Sequence, residues 1–157
     1  MARQRSGRMR LLSVVTMLTL GAALVGCTAN ADVSELESQL AGIDNVNGAT
    51  GSVTHPGAPW NTQVVVSLYL DDASDEGVVE AVRAAAPVLS TDPVASRHDV
   101  VLSFVDGQRS DYETDFDAQR DEIGVNPEVY ATLGILDRGA WFLQLSPAQV
   151  RDIAGGR

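Results

Sequence analysis

Thr62-Gln63-Val64-Val65-Val66-Ser67-Leu68-Tyr69-Leu70 is the most strand-like stretch of the chain. Successive side chains of a strand point to opposite faces, so Val64, Val66, Leu68 and Leu70 share one face. Gln63, Val65, Ser67 and Tyr69 share the other. The first face is wholly aliphatic, which marks it as the side turned to a core. Asp71-Asp72-Ala73-Ser74 then reads as a turn into a helix capped by Ser74 or Asp75. Val78, Val79, Val82, Ala85, Ala86 and Leu89 recur at helical spacing and form its apolar stripe. Asp75, Glu76 and Glu80 lie in its first turns, where the helix dipole favours negative charge. After a loop from Ser90 to Ser96, His98 to Val105 repeats the strand pattern, with Val100, Leu102 and Phe104 on one side and Val101, Ser103 and Val105 on the other.

Upstream, Asn47 to His55 alternates more weakly and predicts a strand, followed by the loop His55-Pro56-Gly57-Ala58-Pro59. Val33, Leu36, Leu40 and Ile43 predict a helix over Ser34 to Ala41, opened by a Ser34/Glu37 capping box and stopped at Gly42. Downstream, Asp106-Gly107 is a hairpin signal. Asp111 to Asp117 alternates strictly, which predicts an edge strand with Tyr112, Thr114 and Phe116 facing in and the acids Asp111, Glu113, Asp115 and Asp117 facing out. In the tail, Asn126-Pro127-Glu128 starts a helix, with Gly134 as its stop. Trp141 to Leu145 reads as a strand, and Ser146-Pro147 caps a last helix through Ile153, ended by Gly155-Gly156. The order helix-strand-strand-helix-strand-strand predicts an α+β fold: a small antiparallel sheet with helices on one face. A ferredoxin-like sheet whose first strand has moved to the end of the chain would read this way, an analogy that says nothing of function.

The chain has 157 residues with a formal net charge of -10 and contains no lysine. That excludes a Schiff-base lysine and a phosphate-loop lysine. Such an acidic surface repels phosphate backbones, so nucleic acid is not an expected partner. Solubility is a sufficient reason for the acidity. The single cysteine, Cys27, leaves no intramolecular disulfide and no thiolate metal site.

The N-terminus carries a more specific pattern. Arg3, Arg5, Arg8 and Arg10 form a basic start without an acid, and Leu11 to Gly26 follow as an uncharged, mostly apolar run. This is the layout of a secretory signal peptide. The run is too short for a permanent span: 16 residues at ~1.5 Å each cover ~24 Å, against ~30 Å of hydrocarbon. It ends in Leu24-Val25-Gly26-Cys27, which resembles the lipobox of bacterial lipoproteins at all four positions. The resemblance covers residues 1-27. It implies cleavage after Gly26, a diacylglycerol, its acyl chains such as palmitate, attached to the Cys27 sulfur, and a protein held to the cell membrane on its extracytoplasmic face. Each buried methylene contributes ~0.8 kcal/mol, so the two or three chains such proteins carry would hold durably. The expected organisation is a signal peptide over 1-26, a lipidated N-terminus and short tether over 27-33, and a single α+β domain over 34-157.

No pattern in the folded part carries catalysis. Asp111, Glu113, Asp115, Asp117, Gln119 and Glu122 match the ligand spacing of a calcium loop, but Phe116 stands where that loop needs glycine and the flanking segment reads as strand. His55 and His98 are isolated and expected at the surface. No G-x-S-x-G nucleophile elbow exists, and Asp71-Asp72 reads as a capping pair. Trp60 and Trp141 could line a ligand groove, but core packing is the expectation because aromatics bury large areas. No cofactor, metal or catalytic residue is therefore expected. The reading is a non-catalytic binding or assembly module of the cell envelope, its partners the bilayer through Cys27 and an envelope protein. The alternative is an ion- or small-solute-binding lipoprotein serving a transporter, although the chain is small for a two-lobed receptor.

Overall fold

The computed structural model describes residues 32-136 and 141-156. The segment predicted as signal peptide, Cys27 and the predicted tether as far as residue 31 lie outside the described residues. The element order is α1 (Ser34–Leu40), β1 (Val46–Thr54), β2 (Gln63–Leu70), α2 (Asp75–Thr91), β3 (Asp99–Asp106), α3 (Asp115–Ala118), β4 (Glu122–Ile123), α4 (Pro127–Thr132), β5 (Leu143–Leu145) and α5 (Pro147–Ala154). The class is α+β.

The sheet is mixed, where the sequence predicted an antiparallel one. β1 pairs antiparallel with β2, whereas β2 pairs parallel with β3 over its whole length, from Gln63 opposite Asp99 to Leu70 opposite Asp106. Parallel neighbours need a crossover, and α2 supplies it. A ferredoxin-like sheet, permuted or not, would place another strand between these two. Here the late strands instead share the outer edge of β3: β4 opposite Phe104 and Val105, and β5 opposite Val100 to Leu102.

The face assignment of the central strands agrees with their alternation. Val64, Val66, Leu68 and Leu70, with Val100, Leu102 and Phe104, are buried in the main core. The stripe of α2 covers them, with Val78, Val79, Val82, Ala85, Ala86 and Leu89 buried. Ser74 caps that helix by accepting the Gly77 N–H at 3.2 Å. Val129 and Leu133 around α4, and Val150 and Ile153 of α5, complete the same core. Ser146 and Gln149 form a capping box at the start of α5. On the opposite face the Ser67 and Ser103 hydroxyls meet at 2.8 Å across the parallel pair. Among the described residues no helix is long and apolar enough to cross a membrane.

Several local expectations are corrected. The Ser34/Glu37 capping box does not form; Val33 is the N-cap and makes no side-chain hydrogen bond. The Glu37 carboxylate instead accepts the Gly51 N–H of β1 at 2.5 Å, and Ser34 N–H donates to Asp32. The tertiary partner outcompetes the local one because α1 lies directly on β1. Asp106-Gly107 does not turn a hairpin, and Asp111 to Asp117 is not a strand. Arg109–Asp111 is a 3-10 turn and Asp115–Ala118 a short helix capped by Thr114, whose hydroxyl accepts the Asp117 N–H. The predicted loop after α2 is shorter, because that helix runs on to Thr91 and Ala95–Arg97 forms a 3-10 turn. Trp141 and Phe142 precede β5 rather than belonging to it.

Two turns at one end of the sheet are tied together by Asn45, which adopts a left-handed φ of 68°. Its amide donates to the Asp72 carbonyl at 3.1 Å and the Gly77 carbonyl at 3.2 Å, while its own oxygen accepts the Asp72 N–H at 2.6 Å. Gly77 is pressed so close that a Cβ there would lie 2.1 Å from the Asp72 carbonyl oxygen.

Two stability predictions follow from this packing. Val66→Asp places an unpaired charge at a fully buried position and should cost roughly 3–5 kcal/mol, enough to unfold a domain of this size. A thermal melt of a soluble form beginning at Thr28 checks it, and an unchanged midpoint would contradict the face assignment. Gly77→Ala should destabilise by about 1–3 kcal/mol through overpacking, although alanine ordinarily gains about 1 kcal/mol over glycine inside a helix. Urea titration reads the sign.

Candidate functional site

On the face of the sheet opposite the main helices, β2 and β3 present Tyr69 and Val105, both fully buried. The segment that follows β3 folds over them. Gly107 N–H donates to the Leu70 carbonyl at 2.9 Å, which turns the chain across the end of the parallel pair. Tyr112 and Ala118 then pack with Tyr69 and Val105 as a second, small apolar cluster. The Tyr69 and Tyr112 rings lie 5.8 Å apart, tilted by 43°.

Arg109 holds this cover in place. Its guanidinium donates to the Tyr112 carbonyl at 2.8 Å, pairs with Asp115 at 3.0 Å and sits 5.9 Å from the centre of the Tyr69 ring. Gly48 of β1 permits this approach, since a Cβ there would lie 2.7 Å from the Arg109 Cβ. The Tyr69 hydroxyl is buried with no hydrogen-bond partner among the described residues. Burial pushes it above the ordinary tyrosine value, and Asp115 and Glu122 add to the shift. The nearby Thr50 hydroxyl and the Arg109 charge offset part of it, Thr50 without reaching hydrogen-bond geometry. Burial likewise raises Tyr112, helped by Asp121. Both shifts favour the protonated phenol, and Arg109 bridges the Tyr112 carbonyl and Asp115. The arrangement clamps a segment onto a sheet.

The acids that match a calcium-loop spacing are drawn into local structure. Asp111 accepts the Gln108 N–H at 3.1 Å, Asp115 pairs with Arg109, and Asp117 accepts from the Thr114 hydroxyl at 2.7 Å. Phe116 is 64% exposed, with the Arg120 guanidinium 5.1 Å above its ring. Among the described residues no three histidine, cysteine or acidic side chains form a group that could hold a metal ion.

The other sequence candidates are scattered. His55 is exposed after β1, and His98 is half-buried before β3. Asp72 is a cap, accepting the Ser74 N–H at 2.9 Å, and this bond holds its carboxyl below the usual value. Asp71 accepts from the Asn47 amide at 2.5 Å. The expectation that Trp60 and Trp141 are core residues is overturned, since they are 86% and 69% exposed. Both stand on turns beyond strand ends, where no layer covers them. Trp141 rests on Gly124, where a Cβ would lie 3.2 Å from the indole ring. An open groove of about 330 Å³ runs between α2 and α4, lined by Asp75, Glu76, Glu80, Glu128 and Arg83 among others. Arg83 donates to the Thr132 carbonyl at 3.3 Å, so it is a strut across the groove.

Sequence reasoning missed Tyr69, Arg109 and Asn45 as a set. Only Tyr69 left a signal, as a large aromatic on the strand face that otherwise carries Gln63 and Ser67. Comparison with models of protein families, with curated proteins and with solved structures finds no match to this chain.

Tyr69→Phe is expected to leave stability unchanged or raise it by about 1 kcal/mol, because it deletes a buried hydroxyl that makes no hydrogen bond. Denaturant titration beside the parent protein checks this. A loss of more than about 1 kcal/mol would mean that the hydroxyl is bonded in solution.

Proposed function

We infer that this chain is a bacterial lipoprotein, anchored through acylated Cys27 on the extracytoplasmic face of the cell membrane. Its folded part is a non-catalytic binding or assembly module of the cell envelope. One observation carries the reading: Leu24-Val25-Gly26-Cys27 fits the lipobox at every position, behind a basic start and an apolar run. Val33 is buried in the core, so with Cys27 acylated at most about five residues would separate lipid from fold, and at ~3.4 Å per residue the domain would stay within ~17 Å of the bilayer.

A binding role is supported by the exposed aromatics, because large apolar side chains held out in water mark contact surfaces when they are grouped. Trp141 and Phe142 stand together beside the short outer strands. The non-catalytic reading rests on the sequence, which carries no nucleophile elbow. The alternative, capture of an ion or small solute for a transporter, has the acid-lined groove between α2 and α4 in its favour. Solute sites are usually enclosed and mostly apolar, and this groove is open and charged, so it stands second.

Cys27→Ala should abolish incorporation of labelled palmitate and leave the protein unprocessed or released from the membrane fraction. Metabolic labelling followed by fractionation measures both. A wild-type protein that takes up no label would overturn the reading.

A further inference from the structure

The first described residues, at the start of α1, and the most exposed tryptophan of the described residues lie toward the same end of the sheet. Thr54 pairs with Gln63, and Gln63 with Asp99, so these three residues mark one end of β1, β2 and β3. The turn carrying Trp60, residues 55-62, closes that end. The start of α1 lies toward it as well. Val33 touches β1 at Gly51, the Glu37 carboxylate takes the Gly51 N–H, and the chain then leads away and returns through 41-45 to Val46 at the opposite end.

The two ends differ in charge. The turn 55-62 contains no acid and no arginine. The opposite end carries Asp44, Asp71 and Asp72 in its turns, Asp75 and Glu76 on the first turn of α2, and seven further acids between Asp106 and Glu122. Around the start of α1 and the facing strand ends the carboxylates are Asp32, Glu35, Glu37, Asp92 and Asp99, and each accepts a hydrogen bond within the fold. Asp32 accepts from the Ser34 N–H, Glu35 from the Gln39 amide and Glu37 from the Gly51 N–H. Asp92 accepts the N–H groups of Val94 and Ala95, and Asp99 accepts from the Gln144 amide.

We propose that the turn 55-62 is a membrane-contact element, with Trp60 seated at the lipid–water interface and the acidic end turned away from the bilayer. The proposal rests on the lipid anchor at Cys27, because the five-residue tether is what brings this end to the surface. Indole is favoured at that depth, where its ring meets apolar chains and its N–H stays wet. Little conformational entropy is lost on docking, since Pro56 and Pro59 stiffen the turn and Asn61 closes it. The Asn61 N–H donates to the Ala58 carbonyl at 3.0 Å and its amide to the Pro56 carbonyl at 2.8 Å. An anionic leaflet repels the acidic end, which selects this orientation over the reverse.

The chain has two tryptophans, Trp60 and Trp141, so each can be observed alone. The full-length protein is expressed in a bacterial host, purified in detergent as Trp141→Phe and as Trp60→Phe, and checked by mass spectrometry for an acyl group on Cys27. Each variant is placed in vesicles of phosphatidylglycerol and phosphatidylcholine, with and without bromine on the acyl chains near the headgroup. Trp60 emission should shift to the blue, fall at least about twofold with bromine and resist aqueous iodide, while Trp141 stays iodide-accessible. An acylated, vesicle-bound protein whose Trp60 remains open to iodide overturns the orientation and leaves the anchor standing. Equal bromine quenching of Trp141 overturns it as well, because the domain then lies on its sheet edge. Absence of the acyl group overturns both the anchor and the orientation.

Discussion

Parallel pairing of β2 with β3 constrains everything else in this fold. Two parallel strands in register cannot be joined by a tight turn, so the chain must cross the sheet between Leu70 and Asp99, and α2 makes that crossing. Once α2 lies over the pair, its stripe and the aliphatic faces of the two strands form one buried layer. The shorter helices have only the flanks of that layer left to cover. α1 takes the β1 side, while α4 and α5 pack against α2. The outer edge of β3 is then finished by two short strands, β4 and β5, rather than by one long one. Short segments offer little unpaired backbone at that edge, whereas the other edge is the nine-residue β1.

The acidity is partly architectural. Carboxylates of Asp72, Asp92, Asp111 and Asp117 accept hydrogen bonds that start turns or helices, and Asp75 and Glu76 sit where the dipole of α2 favours them. Asp72, Asp75, Glu76, Asp111 and Asp117 lie toward the end where β2 and β3 finish, whereas Asp92 caps a turn at the other end. The charge asymmetry between the two ends is thus partly a by-product of where α2 and α3 begin.

The period-two pattern was reliable where a core exists to reward it and unreliable where none does. Val64, Val66, Leu68 and Leu70 alternate because one face is buried, and they lie as their alternation says. Tyr112, Thr114 and Phe116 alternate equally well, yet the segment coils. Thr114 and Asp111 make local caps there, and Arg109 draws Asp115 inward, away from a ladder. Tyr112 alone of the three joins an apolar cluster, and Phe116 is left in water. The two tryptophans were misplaced for a related reason. Size argues for burial only if the fold has room for the ring, and both fall on turns beyond the reach of the sheet.

The sequence by itself determined the identity of the main elements, the buried faces of β2, β3 and α2, and the caps at Ser74 and Ser146, because each depends on residues within one or two turns of one another. It also carries Leu24-Val25-Gly26-Cys27, a local word of four residues that resembles a lipobox. The tertiary structure decided which strands are neighbours and in what direction, that Glu37 serves β1 rather than its own helix, and that Asn45 ties two turns together. It decided as well that Arg109 clamps the acidic segment over Tyr69, and that Trp60 and the start of α1 lie toward one end of the sheet. Those outcomes join residues far apart in the chain, and they are settled by competition for one core and for hydrogen-bond partners, which no local spacing encodes.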